Sequence, residues 1–513
     1  MVIRVIRGDF LTSRRRRPDA YVHRHLPLIR NIMKKTIHLL GFLLLLGTIS
    51  QAQNAITWNN GMALAPASSG NEHPRMAVDR SGNPLVIWHH ASRCMFSRWN
   101  GTAFTTPVII NPVSITVAGA SWMGPDIAAH GDTVYVVFKQ TPEHDDTAHI
   151  YCLHSYNGGI TFSAPVQVEH LVDNRSRFPT VNTDDSGNPI VGFMKFDATF
   201  GDARWAVARS NDFGNSFSTD VKASGWSAAN ATVCDCCPGA ICCSGNNVAM
   251  LYRDNNANLR DCWAGISTDN ADSFSSGIAI DQQQWLINAC PSTGPDGVMI
   301  GDTIYSTFAN SASGKSLVYY NKMAVTDLNP SKSAALTGLF TGLSQQNYPR
   351  IATDGKAMAI AWMQIVNGNR QCVLRFTNNL LNGFPAAYDT VDLNDITNTD
   401  VAISHGKIYV VWEDDNSGTV QYRSGIFMPT SGIQENVLQN RVSIFPNPTT
   451  ATVNITSDKV IDKVLIVNIF GQIIYQMEPN ASKFTLELEQ SGMYFVELTA
   501  NHQTIVKKLM VAK

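Results

Sequence analysis

Gly124-Pro125-Asp126-Ile127-Ala128-Ala129-His130-Gly131-Asp132-Thr133-Val134-Tyr135-Val136-Val137-Phe138 can be laid over Gly294-Pro295-Asp296 through Gly301-Asp302-Thr303-Ile304-Tyr305 to Phe308, with eight of the fifteen positions identical. Both stretches read as a proline, a short apolar strand, a glycine turn and a second apolar strand, the grammar of a hairpin. The same order starts near Pro74, Pro179, Pro238, Pro349 and Thr399. The seven anchors are 51, 54, 59, 57, 54 and 50 residues apart. A steady period of this size, filled with short strands and Gly, Asn and Asp turns, predicts an all-β propeller. Each repeat would be one four-stranded blade around a central channel.

The two ends of the repeat region bear on that reading. Repeat seven has inner strands (Val401 to Trp412, then Thr419 to Ser424) but no evident fourth strand. Thr57-Trp58-Asn59-Asn60-Gly61 to Pro66 is similar to the outer strand of repeat one, Arg98-Trp99-Asn100-Gly101 to Pro107. Residues 56–66 are therefore predicted to complete the last blade and close the ring, which removes two exposed sheet edges. An open array of β-sandwiches leaves the missing strand unexplained.

Before the propeller, assigned to residues 53–428, lie an upstream extension (1–32) and a signal peptide (33–52). Met33 reads as the true initiator: Lys34-Lys35 precede an apolar run from Ile37 to Ile49 and a cleavable Ser50-Gln51-Ala52. That run of 13 residues is too short to span a bilayer, so the mature chain is expected to have no transmembrane segment. Lys plus Arg is 39 against 41 for Asp plus Glu, a balance that suggests neither nucleic acid nor an anionic membrane as partner.

Three repeats carry a second motif after their third strand. Ser210-Asn211-Asp212-Phe213-Gly214-Asn215-Ser216-Phe217 fits S-x-D-x-G-x-[ST]-[FW] in full. Ser155 to Phe162 fits with Asn157 for Asp, and Ser267 to Phe274 fits with Asp269 and with Ala271 for Gly. An Asp or Asn side chain accepts bonds from turn amides, and the aromatic (Phe162, Phe217, Phe274) tucks between sheets. These copies resemble the Asp-box, or BNR, repeats of the sialidase superfamily, where they are structural and lie away from the active face. Sialidases have six blades, so the resemblance implies six where seven repeats are counted. Cys234-Asp235-Cys236-Cys237-Pro238, with Tyr252-Arg253-Asp254 and Arg260-Asp261, further resembles a set of exported sialidase-like proteins.

At the other end, Val442-Ser443-Ile444-Phe445-Pro446-Asn447-Pro448, then Val467 to Gln472, Ser491 to Val496 and Lys507-Lys508-Leu509 resemble the type A sorting domain of type IX secretion. That resemblance covers residues 436–513 behind a linker at 429–435. It implies a small β-sandwich, the type IX machinery as a partner, and a secreted or cell-surface destination.

A propeller's ligand sites favour its channel mouth. The turns expected there offer Arg75, His89, His90, Arg253, Asp254, Arg260, Asp261 and Arg350 as candidate ligand-binding residues, and Glu413, Asp414 and Asp415 in repeat seven. Sialidases clamp a sugar carboxylate with three arginines, since guanidinium groups bind carboxylates in a two-pronged way. By that resemblance Arg75, Arg253 and Arg350 converge, and a Tyr activated by Glu would be the nucleophile. The chain departs from the family pattern at His73-Pro74-Arg75, where an R-I-P opening would stand, and at His89-His90, where an acid would. No catalytic residue, metal or cofactor is assigned.

Seven of the ten cysteines, Cys234, Cys236, Cys237, Cys242, Cys243, Cys262 and Cys290, are gathered in repeat four. Soft thiolates can gather zinc or copper, but the spacing fits no standard zinc pattern and an oxidising destination favours disulfides. These seven are expected to be mainly disulfide-bonded. The leading functional reading is a propeller that binds or processes an extracellular glycan or glycoprotein at its mouth. A true exo-sialidase or related glycoside hydrolase and a non-catalytic, protein-binding adhesion module are the alternatives.

Overall fold

The computed structural model describes residues 56–428 and 442–512, apart from 146, 171–174, 230, 328–331, 469–471 and 501–502. The extension, the signal peptide and the linker assigned from the sequence lie outside the described residues. The chain falls into two compact units, divided between Pro429 and Thr430.

The first unit contains seven antiparallel sheets, one per repeat. Blade one is built from Glu72–Val78, Pro84–His90, Arg93–Arg98 and Val108–Ile109, innermost to outermost. Each inner strand lies beside that of the next blade, and the last, Ile396–Ser404, lies beside the first, Glu72–Val78. The ring is therefore closed, with seven blades and not the six of the sialidase resemblance. Ile56–Trp58 and Met62–Ala63 both pair with Thr419–Phe427, the third strand of blade seven, as the repeat grammar predicts.

Apolar runs become second strands because such a strand is covered on both faces. Thr133–Lys139 shows how the faces divide. Val134, Val136 and Phe138 pack with Leu85, Ile87 and Phe96 of blade one, while Tyr135 and Val137 pack with Val191 and Phe193 of blade three. The period-two alternation of a strand sends successive side chains into two different seams. Every seam is thus a small core fed by two blades.

The three turns after third strands share one hydrogen-bond pattern. Ser210 Oγ accepts the Gly214 amide at 2.8 Å and Asp212 accepts the Ser216 amide at 2.9 Å. Ser155/Asn157 and Ser267/Asp269 repeat it. Phe162 meets Phe96 of the preceding blade edge-on at 5.1 Å, so the motif aromatic fills a seam.

The second unit is two sheets, one of three and one of four strands. Val453 and Ile455 from the first share a buried core with Val464, Ile466, Val496 and Leu509 from the second. This is the predicted sandwich.

Candidate functional site

Strand direction reverses at each step of a blade, so the turn leading into the inner strand and the turn joining second to third strand open on one face. On that face the ring axis ends in a pocket lined by His73, Arg75, Trp122, Phe178, Tyr348, Arg350 and Asn398 among others. Its cavity volume is about 50 Å³, room for only a few waters. It continues into a polar lumen of about 240 Å³ between the inner strands.

Four of the lining residues have left-handed backbone: His73 (φ 53°), Phe178 (51°), Tyr348 (51°) and Asn398 (45°). Each stands directly before the anchor of its repeat, and the inner-strand register slips at the same place in all four blades. A bulge of this kind re-aims a side chain. For Phe and Tyr the conformation is an outlier, costing on the order of 1–3 kcal/mol. Blades three and six bear that cost beside one pocket, while His73 and Asn398 adopt the same conformation more readily. The expected site omitted these residues, although their position before each anchor was visible in the sequence.

The residues directly after the anchors form a second tier: Arg75, Asp126, Thr180, Gly239, Asp296, Arg350 and Asp400. Arg350 lies 3.0 Å from Asp400 and 3.4 Å from Asp296. Burial works against its charge, but these two carboxylates outweigh burial and hold it firmly protonated. Arg75 differs. Its Nη1 donates to the Pro74 carbonyl at 2.8 Å and Nη2 lies 3.5 Å from His73 Nδ1. No carboxylate of the described residues lies within ion-pair distance. Burial and the nearby Arg350 pull Arg75 down to about 10. Burial and Arg75 likewise depress His73, whose ring is therefore neutral at pH 7.

Behind this wall, Glu413 accepts the His73 amide, the Ser121 hydroxyl and the Asn398 side-chain amide, each at 3.2 Å. Burial, reinforced by Asp415, raises its carboxyl to about 8 despite the His73 bond. Tyr348 is pushed up by burial and then by Glu413.

The proposed convergence of three arginines is corrected. Arg75 and Arg350 line the pocket, but Arg253 is fully buried and donates to the carbonyls of Thr293, Arg260 and Ala309 at 3.0, 2.7 and 2.7 Å. Its three nitrogens tie the loop leading into blade five to a turn of blade four and to the second strand of blade five. Arg260 donates to the Ile287 carbonyl, and Asp261 accepts the Gln284 and Trp285 amides, in the same loop. Asp254 is buried, which raises its carboxyl to about 6. His89 is buried 3.6 Å from Glu72, and His90 is half-buried next to it. None of these six lines the mouth pocket.

The cysteine expectation is also corrected. Cys236 and Cys290 form a disulfide, while Cys234, Cys237, Cys242, Cys243 and Cys262 are free thiols. Cys242 and Cys243 are neighbours on the inner strand Ala240–Ser244, so they face opposite seams and fill different apolar clusters. Cys262 belongs to the same apolar cluster as Cys242 but lies at the other end of the blade, opposite Arg253 rather than Ala249. The Cys236–Cys290 bond occupies two of the sulfurs that a thiolate metal site at Cys234, Asp235, Cys236 and Cys290 would need.

Residues 443–512 match a family described as the secretion system C-terminal sorting domain. The chain is accordingly delivered by type IX secretion to the cell surface or beyond it. No curated protein matches the chain. Among solved structures, a protein of unknown function from Dyadobacter fermentans is 10% identical, with TM-score 0.43, covering 73% of this chain and 98% of that one. An α-L-arabinofuranosidase, Arb93A from Fusarium graminearum, is 13% identical, with TM-score 0.41, covering 63% and 97%. The NanB sialidase of Streptococcus pneumoniae is 12% identical, with TM-score 0.38, covering 74% and 71%.

Proposed function

We propose that this surface-delivered propeller binds the acidic end of an extracellular glycan or glycoprotein at its axial mouth, without cleaving it. The observation that carries this reading is Arg75. It is a buried guanidinium lining the pocket, with no carboxylate at ion-pair distance among the described residues. A buried cation is costly unless something pairs with it. The pocket is too small to enclose a sugar ring, but it suits a carboxylate inserted toward Arg75. The ring itself would rest on the aromatic rim of Trp122, Phe178 and Tyr348.

Tyr348 beside Glu413 favours a second reading, an exo-sialidase with a tyrosine nucleophile. The electrostatics speak for binding instead. A Glu that keeps its proton to about pH 8 is a poor base at neutral pH, and the phenol is raised rather than lowered. The test pairs an array of acidic and neutral glycans with a fluorogenic sialoside assay on the same protein. Binding of acidic glycans without turnover is expected. Arg75→Ala should weaken it roughly tenfold to a hundredfold, the worth of one charge-assisted bond, and Lys should rescue poorly. Turnover would favour the hydrolase. Binding indifferent to Arg75 would remove the reading and leave protein adhesion.

A further inference from the structure

The loop before the inner strand of blade four, together with Cys290 from the loop leading into blade five, gathers four sulfurs in two redox states. Cys236 and Cys290 are joined, and Cys234 Sγ lies 3.6 Å from Cys236 Sγ. Cys237 Sγ lies 3.9 Å from Cys236 Sγ. Cys234 and Cys237 are buried, while Cys290 is exposed. Arg260 Nη1 donates to Cys234 Sγ at 3.0 Å. A buried dithiol spaced C-x-x-C thus adjoins a disulfide whose far sulfur faces solvent.

We propose that this cluster is a thiol–disulfide exchange site, in which the Cys234/Cys237 pair passes two electrons through the Cys236–Cys290 bond to an external disulfide. Cys234 thiolate attacks Cys236 Sγ, forming Cys234–Cys236 and releasing Cys290 as thiolate. Cys290 attacks an external disulfide RSSR, forming Cys290–SR and releasing RS⁻. Cys237, giving its proton to solvent, attacks Cys234 and frees Cys236. Cys236 then attacks the Cys290–SR bond, releasing the second RS⁻ and restoring Cys236–Cys290. The sum is one dithiol oxidised to Cys234–Cys237 and one RSSR reduced to two thiols.

The surroundings fit these roles. A hydrogen bond from Cys237, then the charges of Arg253 and Arg260, lower Cys234 to about 7 against the pull of burial. Burial, followed by Cys234, raises Cys237 instead. Cys234 is thus the readier nucleophile, and Cys237 attacks only after giving up its proton, which makes it the slower, resolving partner. Arg253 and Arg260, which the sequence offered as ligand residues, acquire a chemical role here, and it does not depend on what the mouth binds.

The test uses the full mature chain under native conditions with 5,5′-dithiobis(2-nitrobenzoate), whose thiolate is coloured. Seven of the eight free cysteines are buried and Cys243 is half-buried, so a static protein should release little colour. The relay should release two equivalents per chain and leave a Cys234–Cys237 bond in the peptide map. Cys234→Ser should release none, and Cys237→Ser should stop after one with the probe on Cys290. Should Cys234→Ser fail to fold, the parent's pH profile still decides. The rate of the first equivalent, set by the Cys234 thiolate, should rise about tenfold from pH 6 to 8 and then level. A silent parent, full release from Cys234→Ser, a first-equivalent rate still climbing through pH 9, or probe mapping to Cys243 alone would each overturn the proposal. So would copurifying stoichiometric zinc or copper with all four sulfurs reduced.

Discussion

The carboxylate of Asp400 accepts the backbone amide of Met76 at 2.8 Å, across the seam where blade seven meets blade one. Asp126 takes the Val181 amide at 3.0 Å and Asp296 the Ile351 amide at 2.8 Å, so the same staple joins blade two to three and five to six. In all three the Asp directly follows the anchor, and the amide belongs to the next inner strand.

Asp400 also pairs with Arg350, which keeps Asp296 at 3.4 Å, so its loss removes one of that charge's two carboxylates and leaves the buried Met76 amide without its acceptor. Asp400→Ala should destabilise the propeller by about 1–3 kcal/mol, the usual cost of a buried donor left unpaired. Asp400→Asn, which keeps an acceptor for Met76, should cost less. Denaturant unfolding of the three proteins checks the order. Equal midpoints for Ala and parent would mean the staple is incidental.

Removing residues 56–66 should leave the third strand of blade seven as an open edge, inviting strand-to-strand aggregation. The truncated chain is expected to elute as soluble aggregate and to lose its cooperative thermal transition. A monomeric product with the parent's transition would show that closure does not depend on this strand.

The ring was legible because its cause is local and repeated: an anchor, two apolar strands and a turn, seven times over. The closing strand left a trace in the resemblance of Thr57–Pro66 to Arg98–Pro107, but the structural contexts differ. Trp58 lies in the outer strand of blade seven, whereas Trp99 follows the third strand of blade one, whose outer strand is Val108–Ile109. The site was less legible. Arg253 stands beside an exposed-looking Asp254, and its burial follows from carbonyls at Thr293 and Ala309, 40 and 56 residues onward. The cysteines misled for a similar reason. Spacing says how near sulfurs are along the chain, but Cys242 and Cys243 are divided by the strand they share. His73, Phe178 and Tyr348 each precede a proline and Asn398 precedes Thr399, contexts in which a strand residue ordinarily runs extended, so their left-handed backbone was not legible in the sequence.

The sorting unit has its own core, drawn from both of its sheets. Deleting residues 436–513 should therefore spare the propeller's fold and abolish delivery to the surface. Fractionation of cells expressing the truncated chain, with protease accessibility as the readout, is expected to find it folded inside the envelope. Normal surface yield would contradict its role as an address.

The last prediction concerns Glu413, whose carboxyl is raised to about 8 by burial in front of Asp415. A carboxyl raised on folding binds its proton more tightly in the folded than in the unfolded chain, whose value is about 4.3. Its contribution is therefore intact below that value, is lost progressively as pH rises, and stops changing above about 8. Asp254 and Asp281, raised by burial to about 6, act in the same direction but have largely titrated by pH 6.5. Cys234, lowered to about 7, acts in the opposite direction above that pH. Comparison with Glu413→Gln cancels these contributions. The amide keeps an acceptor for the His73 amide and has no proton to lose. Between pH 6.5 and 8 the parent should lose about 1–2 kcal/mol relative to the variant, measured as diverging denaturant midpoints. The same ionisation places a negative charge behind the mouth. Binding of an acidic glycan should therefore weaken over that interval in the parent and hold steady in Glu413→Gln. Parallel stability curves would show that Glu413 is already ionised at neutral pH, which would return the Tyr348–Glu413 pair to consideration as a catalytic base and nucleophile.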